Sequence, residues 1–102
     1  SVQVHPDDAA AGRLLGEPRG KSEAWVIVHA EPQARIFAGL KPGIDRQTLE
    51  SRMQDGSVSE CLHSFTPRRG DVVFIPAGTV HAAGGGIVMA EVQQTSDATF
   101  RM

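Results

Sequence analysis

The length and composition of this sequence, 102 residues of which 40% are hydrophobic, indicate one domain with its own core and exclude two. The formal net charge is −2 and the ten basic residues are scattered, so the sequence predicts no nucleic-acid partner and no polybasic membrane patch. No apolar run approaches the roughly 18 residues of a membrane span and no signal peptide is visible, so we expect a soluble protein.

The rarer residue types indicate the compartment and the fold class. The single cysteine, Cys61, cannot form an internal disulfide, and a free thiol suits a cytoplasmic location. Eleven glycines and six prolines in so short a chain predict many turns and a mostly β structure. Because the sequence begins at Ser1 in a strand-like stretch, we expect residues 1–102 to be a single domain cut from a longer protein.

The first predicted strand carries two polar residues on one face. Residues 1–5 alternate apolar and polar, which places Gln3 and His5 on the face opposite Val2 and Val4. Such a pair is natural where a strand lines a polar site. After Pro6, a turn can cap a short helix over residues 9–15.

A second polar pair precedes a core strand. Lys21 and Glu23 are two residues apart and therefore share one side of the chain. Trp25 and Ile27 follow in a β-rich run and are predicted to face the core. A hairpin at residues 31–33 then leads to a strand over 34–40.

The convincing helix of the sequence covers residues 45–55. Asp45 can cap it, Ile44 and Leu49 stand at the positions of a hydrophobic staple, and Gly56 is placed to end it. We expect this helix to be an insertion on the outside of a β structure. A further strand is predicted over 59–65.

A tight turn presents one imidazole beside a buried strand. Residues 72–75 are an apolar, β-branched run, and the Pro76 and Gly78 that follow allow the chain to double back and hold His81 at a fixed point. A structural histidine is the simpler interpretation of this stretch taken alone.

The last predicted strands cover 87–93 and 98–102. In the first, Glu91 shares a face with Gln93, and in the second Thr99 shares a face with Arg101. Taken alone, Glu91 and Arg101 are most simply a cross-strand ion pair.

Four residues together have the chemistry of a metal site: Gln3, His5, Glu23 and His81. Two imidazoles and two oxygen donors without a thiolate suit a divalent ion such as zinc, with manganese, iron, cobalt and nickel also compatible. Their spacing is not diagnostic, because the fold must bring Glu23 and His81 to the local pair.

Four stretches of the chain resemble the type I mannose-6-phosphate isomerases in the order of that family. They are SVQVHPDD at 1–8, GKSEAW at 20–25, GDVVFIPAGTVHA at 70–82 and EVQQTSDATFR at 91–101. The resemblance implies a cupin fold, a double-stranded antiparallel β-barrel or jelly roll with a metal inside. It also implies that Gln3, His5, Glu23 and His81 are the metal ligands.

The same resemblance implies an activity, the interconversion of mannose 6-phosphate and fructose 6-phosphate through an enediol. Proton transfer between C1 and C2 needs a base and a group that stabilises negative charge on oxygen. Glu91 is the candidate base, Arg101 the cation that stabilises the enediolate, and Lys21 a group that helps to open the ring or binds an oxygen.

Two alternatives stay open at this stage, a non-catalytic cupin module that binds a metal and a sugar ligand, and a structural barrel without a metal. Family members are two to three times longer than one such domain. For the isolated fragment we expect homo-oligomers through exposed strand edges.

Overall fold

The computed structural model of the chain describes residues 2–5, 7–15, 20–94 and 99–101, with the backbone but not the side chains at 100–101. Eight strands and two helices occur in this part of the chain, together with a 3₁₀ turn at Val58–Cys61. The strands are β1 (Gln3–Val4), β2 (Glu23–Ala30), β3 (Ile36–Leu40), β4 (Leu62–Phe65), β5 (Val72–Ile75), β6 (His81–Ala83), β7 (Ile87–Gln93) and β8 (Phe100–Arg101). The helices are α1 (Asp8–Leu15) and α2 (Arg46–Asp55). Neither helix, within the residues described, has the length and apolarity needed to cross a bilayer.

The strands form two antiparallel sheets. One has five strands in the order β4-β3-β6-β1-β8, and the other has three in the order β5-β2-β7. The predicted mostly β, antiparallel structure is therefore confirmed.

One hydrophobic cluster joins the two sheets. It contains Trp25 and Ile27 of β2, Ile75 of β5, and Ile36 of β3 in the other sheet, each at most 4% exposed. Alternation along β2 explains the arrangement, because every second side chain faces inward. The sequence-based placement of Trp25 and Ile27 in the core is confirmed.

A second cluster lies beneath α2. Val2, Val58, Leu62 and Val80 form it, and Leu49 of the helix packs against it. Since no residue of α2 is fully buried, this helix lies at the surface, as expected of an insertion.

Both predicted ends of α2 are confirmed. The Asp45 side chain accepts a hydrogen bond from the Thr48 amide at 2.7 Å, the geometry of an N-cap. Gly56 ends the helix with φ of +81°, a left-handed conformation that favours glycine.

Several elements differ in number or extent from the sequence-based expectations. The strand predicted over 34–40 begins at Ile36. Only Leu62–Phe65 of the predicted strand 59–65 is extended, because the chain turns through a 3₁₀ segment after α2, with the Glu60 amide bonded to the Ser57 carbonyl at 3.0 Å. The structure also has two helices where the fold-class prediction named one insertion; the second is α1, which begins at Asp8, one residue before the short helical segment considered at 9–15. Of the strand predicted at 98–102, Phe100–Arg101 is extended, and residues 98 and 102 lie outside the described residues.

Candidate metal centre and active site

Strand register assembles the candidate site from both ends of the chain. β1 pairs with both β6 and β8 in the five-stranded sheet, and Gln3 stands directly opposite His81 on one side and Arg101 on the other. Residues that are 78 or more positions apart in sequence are neighbours for this reason alone. This strand pairing explains why Gln3 and His5 lie close to His81, which follows a turn far along the chain.

His5, Glu23 and His81 converge in the interior of the molecule. All three are buried, at 1%, 4% and 4% exposure. The Nε2 atom of His5 lies 3.2 Å from Oε1 of Glu23, and Nε2 of His81 lies 3.6 Å from Oε2. One donor atom from each residue falls within 4.8 Å of the other two, which is close enough to ligate one ion.

The second nitrogen of each imidazole is held by a threonine. His81 Nδ1 lies 2.8 Å from the Thr79 carbonyl oxygen, and His5 Nδ1 lies 3.1 Å from the Thr99 hydroxyl. Because a carbonyl oxygen can only accept, the Nδ1–H of His81 donates to Thr79, and the opposite ring nitrogen, Nε2, faces the Glu23 carboxylate. A metal-ligating histidine typically has such a second contact, since it orients the ring.

The Glu23 carboxylate is surrounded by donors. Lys21 Nζ lies 3.3 Å from Oε1, and the indole N–H of Trp25 donates to Oε2 at 3.2 Å. Burial acts to raise the pKa of Glu23, but hydrogen bonds with Glu91 and Lys21 and the positive charges of His5 and Lys21 outweigh it, and the pKa lies below its ordinary value. Glu23 is therefore ionised, the form in which a carboxylate binds a metal.

An open cavity of about 490 Å³ adjoins this cluster. The predicted residues Gln3, Lys21, Glu23, Glu91 and His81 contribute to its lining, together with Trp25, Ala82, Ala83, Met89, Gln93 and Thr99. The face shared by Glu91 and Gln93, which alternation along β7 predicts from the sequence, lines the cavity, and Met89 lies on the same face.

Glu91 faces Trp25 across the β2–β7 ladder and is the second carboxylate of the cavity. Burial raises the pKa of Glu91, and the neighbouring Glu23 raises it further, against the opposing influence of Lys21 and the Trp25 hydrogen bond. The two carboxyl groups thus have pKa values displaced in opposite directions from the ordinary value.

The backbone of Arg101 lies in the same region as the candidate site. It stands opposite Gln3 in the β1–β8 pair, while its side chain lies outside the described residues. The role predicted for its guanidinium stays a prediction.

Three contacts at the site are absent from the sequence-based list: the Trp25 indole N–H, the Thr79 carbonyl and the Thr99 hydroxyl. Trp25 and Thr79 each lie two residues from a candidate ligand in the sequence, and this proximity could have identified them. Thr99 contacts His5 across 94 positions, so its role depends on the fold.

Comparison with known proteins places this site in context. Mannose-6-phosphate isomerase ManA of Bacillus subtilis is 37% identical over all 102 residues, and mannose-6-phosphate isomerase of Streptococcus mutans is 38% identical over the same length. The crystal structure of the mannose 6-phosphate isomerase from Bacillus subtilis superposes on 99% of the chain with a TM-score of 0.87 and 36% identity. The chain is homologous to the mannose-6-phosphate isomerases.

The chain matches only part of each isomerase. The chain spans 32% of the length of each of these relatives, and no family model matches it. The similarity to the isomerase structure confirms the cupin-type architecture predicted from the sequence.

Proposed function

We propose that this chain forms the catalytic core of a mannose-6-phosphate isomerase, which interconverts mannose 6-phosphate and fructose 6-phosphate through an enediol. The observation that carries the proposal is the convergence of His5, Glu23 and His81 at a cavity that Lys21 and Glu91 also line. Whole-length similarity of the chain to proteins named for this activity supports it.

The donor set fits one divalent ion. His5, Glu23 and His81 offer two imidazoles and a carboxylate, and Gln3 at the cavity wall adds an amide oxygen; this combination suits zinc. When bound, such an ion supplies Lewis-acid polarisation of a substrate oxygen. Thr79 and Thr99 support the assignment by orienting the two rings.

Glu91 is the residue to which we assign proton transfer between C1 and C2. Its carboxyl group lines the cavity without being one of the three converging groups, so it remains available to substrate. Lys21, only 14% exposed in its side chain, supplies a positive charge beside the carboxylates and can contact a sugar oxygen during ring opening. Arg101 is assigned the stabilisation of negative charge on the enediolate.

The same proposal places the enzyme in the cytoplasm, with a sugar phosphate as its small-molecule partner. The buried free thiol of Cys61 supports the location, because a reducing compartment keeps an unpaired thiol intact.

A chimera tests the proposal under conditions in which the rest of an isomerase is present. The matching third of the Bacillus subtilis enzyme is replaced by this chain, metal is measured by elemental analysis, and turnover is followed by coupling fructose 6-phosphate formation to a reporter dehydrogenase. We expect about one ion per chain and isomerase turnover. A folded, metal-loaded chimera without turnover would instead identify the chain as a non-catalytic cupin module.

A further inference from the structure

Trp25 supplies a neutral side-chain donor to the carboxylate of Glu23. Its indole N–H donates to Oε2 at 3.2 Å, and the ring is 4% exposed. The contacts on Oε1 come from ionisable groups, Lys21 Nζ at 3.3 Å and His5 Nε2 at 3.2 Å. Oε2 thus accepts from the indole N–H of Trp25 and also lies 3.6 Å from Nε2 of His81, a candidate ligand.

The ring of Trp25 also contacts a second candidate ligand. Its centroid lies 5.7 Å from that of His81, with the planes at 69° in an edge-to-face arrangement. Such a contact fixes a neighbouring ring as well as contributing packing energy. One side chain thus constrains both the carboxylate and an imidazole of the candidate metal centre.

The position of Trp25 in the core makes this constraint rigid. It packs with Ile27, Ile36 and Ile75 between the two sheets, so its orientation is set by contacts from both. A donor on a rigid ring holds a carboxylate more precisely than a flexible lysine chain does, because fewer rotatable bonds separate it from the backbone.

We propose that Trp25 is a positioning residue that sets the orientation of Glu23, and with it the affinity of the site for a divalent ion. The inference rests on the proposed function insofar as it takes His5, Glu23 and His81 as the ligands. It assigns to the indole N–H a role beyond the core packing that the sequence predicts for this residue.

Direct metal binding tests this role without any assay of activity. The 102-residue chain and Trp25→Phe are titrated with Co²⁺ and Zn²⁺ in competition with a chromophoric chelator, and the visible absorption of bound Co²⁺ is recorded. Phenylalanine keeps a buried aromatic ring but removes the donor. Loss of a residue that orients a metal ligand typically costs 10–100-fold in metal affinity, so we expect a decrease of at least about tenfold and a shifted Co²⁺ spectrum.

Ile27→Val is the matched control. Ile27 lies two residues further along β2 on the same inner face and is 1% exposed, but makes no polar contact with Glu23. Removing one methylene there weakens the core without touching the carboxylate. We expect Ile27→Val to retain wild-type affinity, and equal losses in both variants would reduce Trp25 to a core residue.

A second replacement keeps the test decisive if Trp25→Phe does not fold. Trp25 is the only tryptophan of the chain, so it can be replaced selectively by benzothienylalanine, in which sulfur takes the place of the N–H group at nearly the same size. Weaker binding by this isostere supports the inference, whereas unchanged binding overturns it.

Failure of the inference and failure of the proposed function give different results. If the wild-type chain binds neither ion, the metal centre itself is wrong and the role of Trp25 falls with it. If the wild-type chain binds and both Trp25 replacements bind equally well, the metal centre stands and the positioning role alone is wrong.

The fluorescence of Trp25 supplies an independent readout. The chain has no tyrosine, so its emission above that of phenylalanine comes from this one indole. Because the ring contacts His81, we expect Co²⁺ to quench the emission of the wild-type chain far more than Zn²⁺ does, with saturation at about one ion per chain. Equal emission with and without Co²⁺ at saturating metal would contradict the placement of the ion beside Trp25.

Discussion

His5 and His81 are the individual residues on which the proposed metal binding most depends, because Nε2 of each faces the Glu23 carboxylate. We expect His5→Ala and His81→Ala each to reduce bound metal from about one ion per chain to near zero, since each removes a ligand that the fold cannot replace. Elemental analysis after gel filtration measures the amount of metal bound to each variant.

The matched control is His63→Ala, because His63 is an exposed histidine of β4. The His63→Ala variant should bind as much metal as the wild-type chain. Unchanged metal in both His5→Ala and His81→Ala would refute the ligand assignment.

Replacing Glu91 tests whether turnover can be lost while metal binding is kept. In the chimeric isomerase, Glu91→Gln should keep its metal and lose turnover, because the amide preserves the shape of the side chain but cannot accept the proton. General-base catalysis contributes about 10²–10⁴-fold, which sets the size of the expected decrease in kcat. The coupled assay measures it, and near wild-type turnover would move the base to another group.

Arg101 tests the second charged group. Arg101→Lys in the same chimera should bind metal normally but turn over slowly, since a point charge does not reproduce a planar guanidinium fork. Steady-state kinetics will show this as a lower kcat, and full activity in the lysine variant would mean that any positive charge is sufficient.

At the scale of an element, α2 depends on its caps, because none of its residues is fully buried. The hydrogen bonds from Thr48 hold the pKa of Asp45 below its ordinary value of 3.8. A carboxyl whose folded pKa is lowered stabilises the fold above its unfolded pKa, and this contribution disappears as the pH falls through the folded pKa.

We therefore expect Asp45→Ala to speed amide exchange in α2 at neutral pH, and the difference from wild type to shrink as the pH falls through the folded pKa, which lies below 3.8. Hydrogen exchange followed by NMR measures both effects. Asp45→Asn is the control, since its amide oxygen can still accept from Thr48 while its charge no longer depends on pH. If amide exchange in Asp45→Ala and in the wild-type chain differed as much in acid as at neutral pH, the cap assignment would be contradicted.

At the scale of the whole molecule, the outer face of the three-stranded sheet is strongly apolar. Val72, Phe74 and Val92 are 71%, 63% and 71% exposed, and β5 and β7 are the outer strands of the described sheet. Exposed apolar faces and open strand edges favour pairing with a second copy. The homo-oligomer that the sequence predicts through strand edges stays a prediction, and these side chains on the outer strands are the ones with which we test it.

We expect the 102-residue chain to associate with increasing concentration, and Phe74→Lys or Val92→Lys to reduce this association. Multi-angle light scattering over a concentration series measures it. Leu14→Lys is the matched control, because Leu14 is 59% exposed and belongs to α1, not to a strand of this sheet. A wild-type chain that stays monomeric at every concentration would show that this face does not drive association.

Local pattern in the sequence predicts much of this protein. Alternation predicts the inner face of β2 and the face shared by Glu91 and Gln93 on β7, cap chemistry predicts both ends of α2, and four family-like stretches predict the cupin-type fold and the ligand candidates. The predictions of strand faces and helix ends succeed because they depend on residues two to four positions apart, within which periodicity and hydrogen-bonding capacity are decided by the chain itself.

Only the tertiary structure decides which of these residues meet. Strand register brings Gln3 opposite His81, the fold brings Thr99 to His5, and packing between the sheets aims the indole N–H of Trp25 at Glu23. The sequence predicts Trp25 as a core residue because an aromatic side chain in an apolar run is usually buried for its area. Its hydrogen bond depends on where the ring is held relative to the carboxylate, and that position results from contacts between strands far apart in the chain.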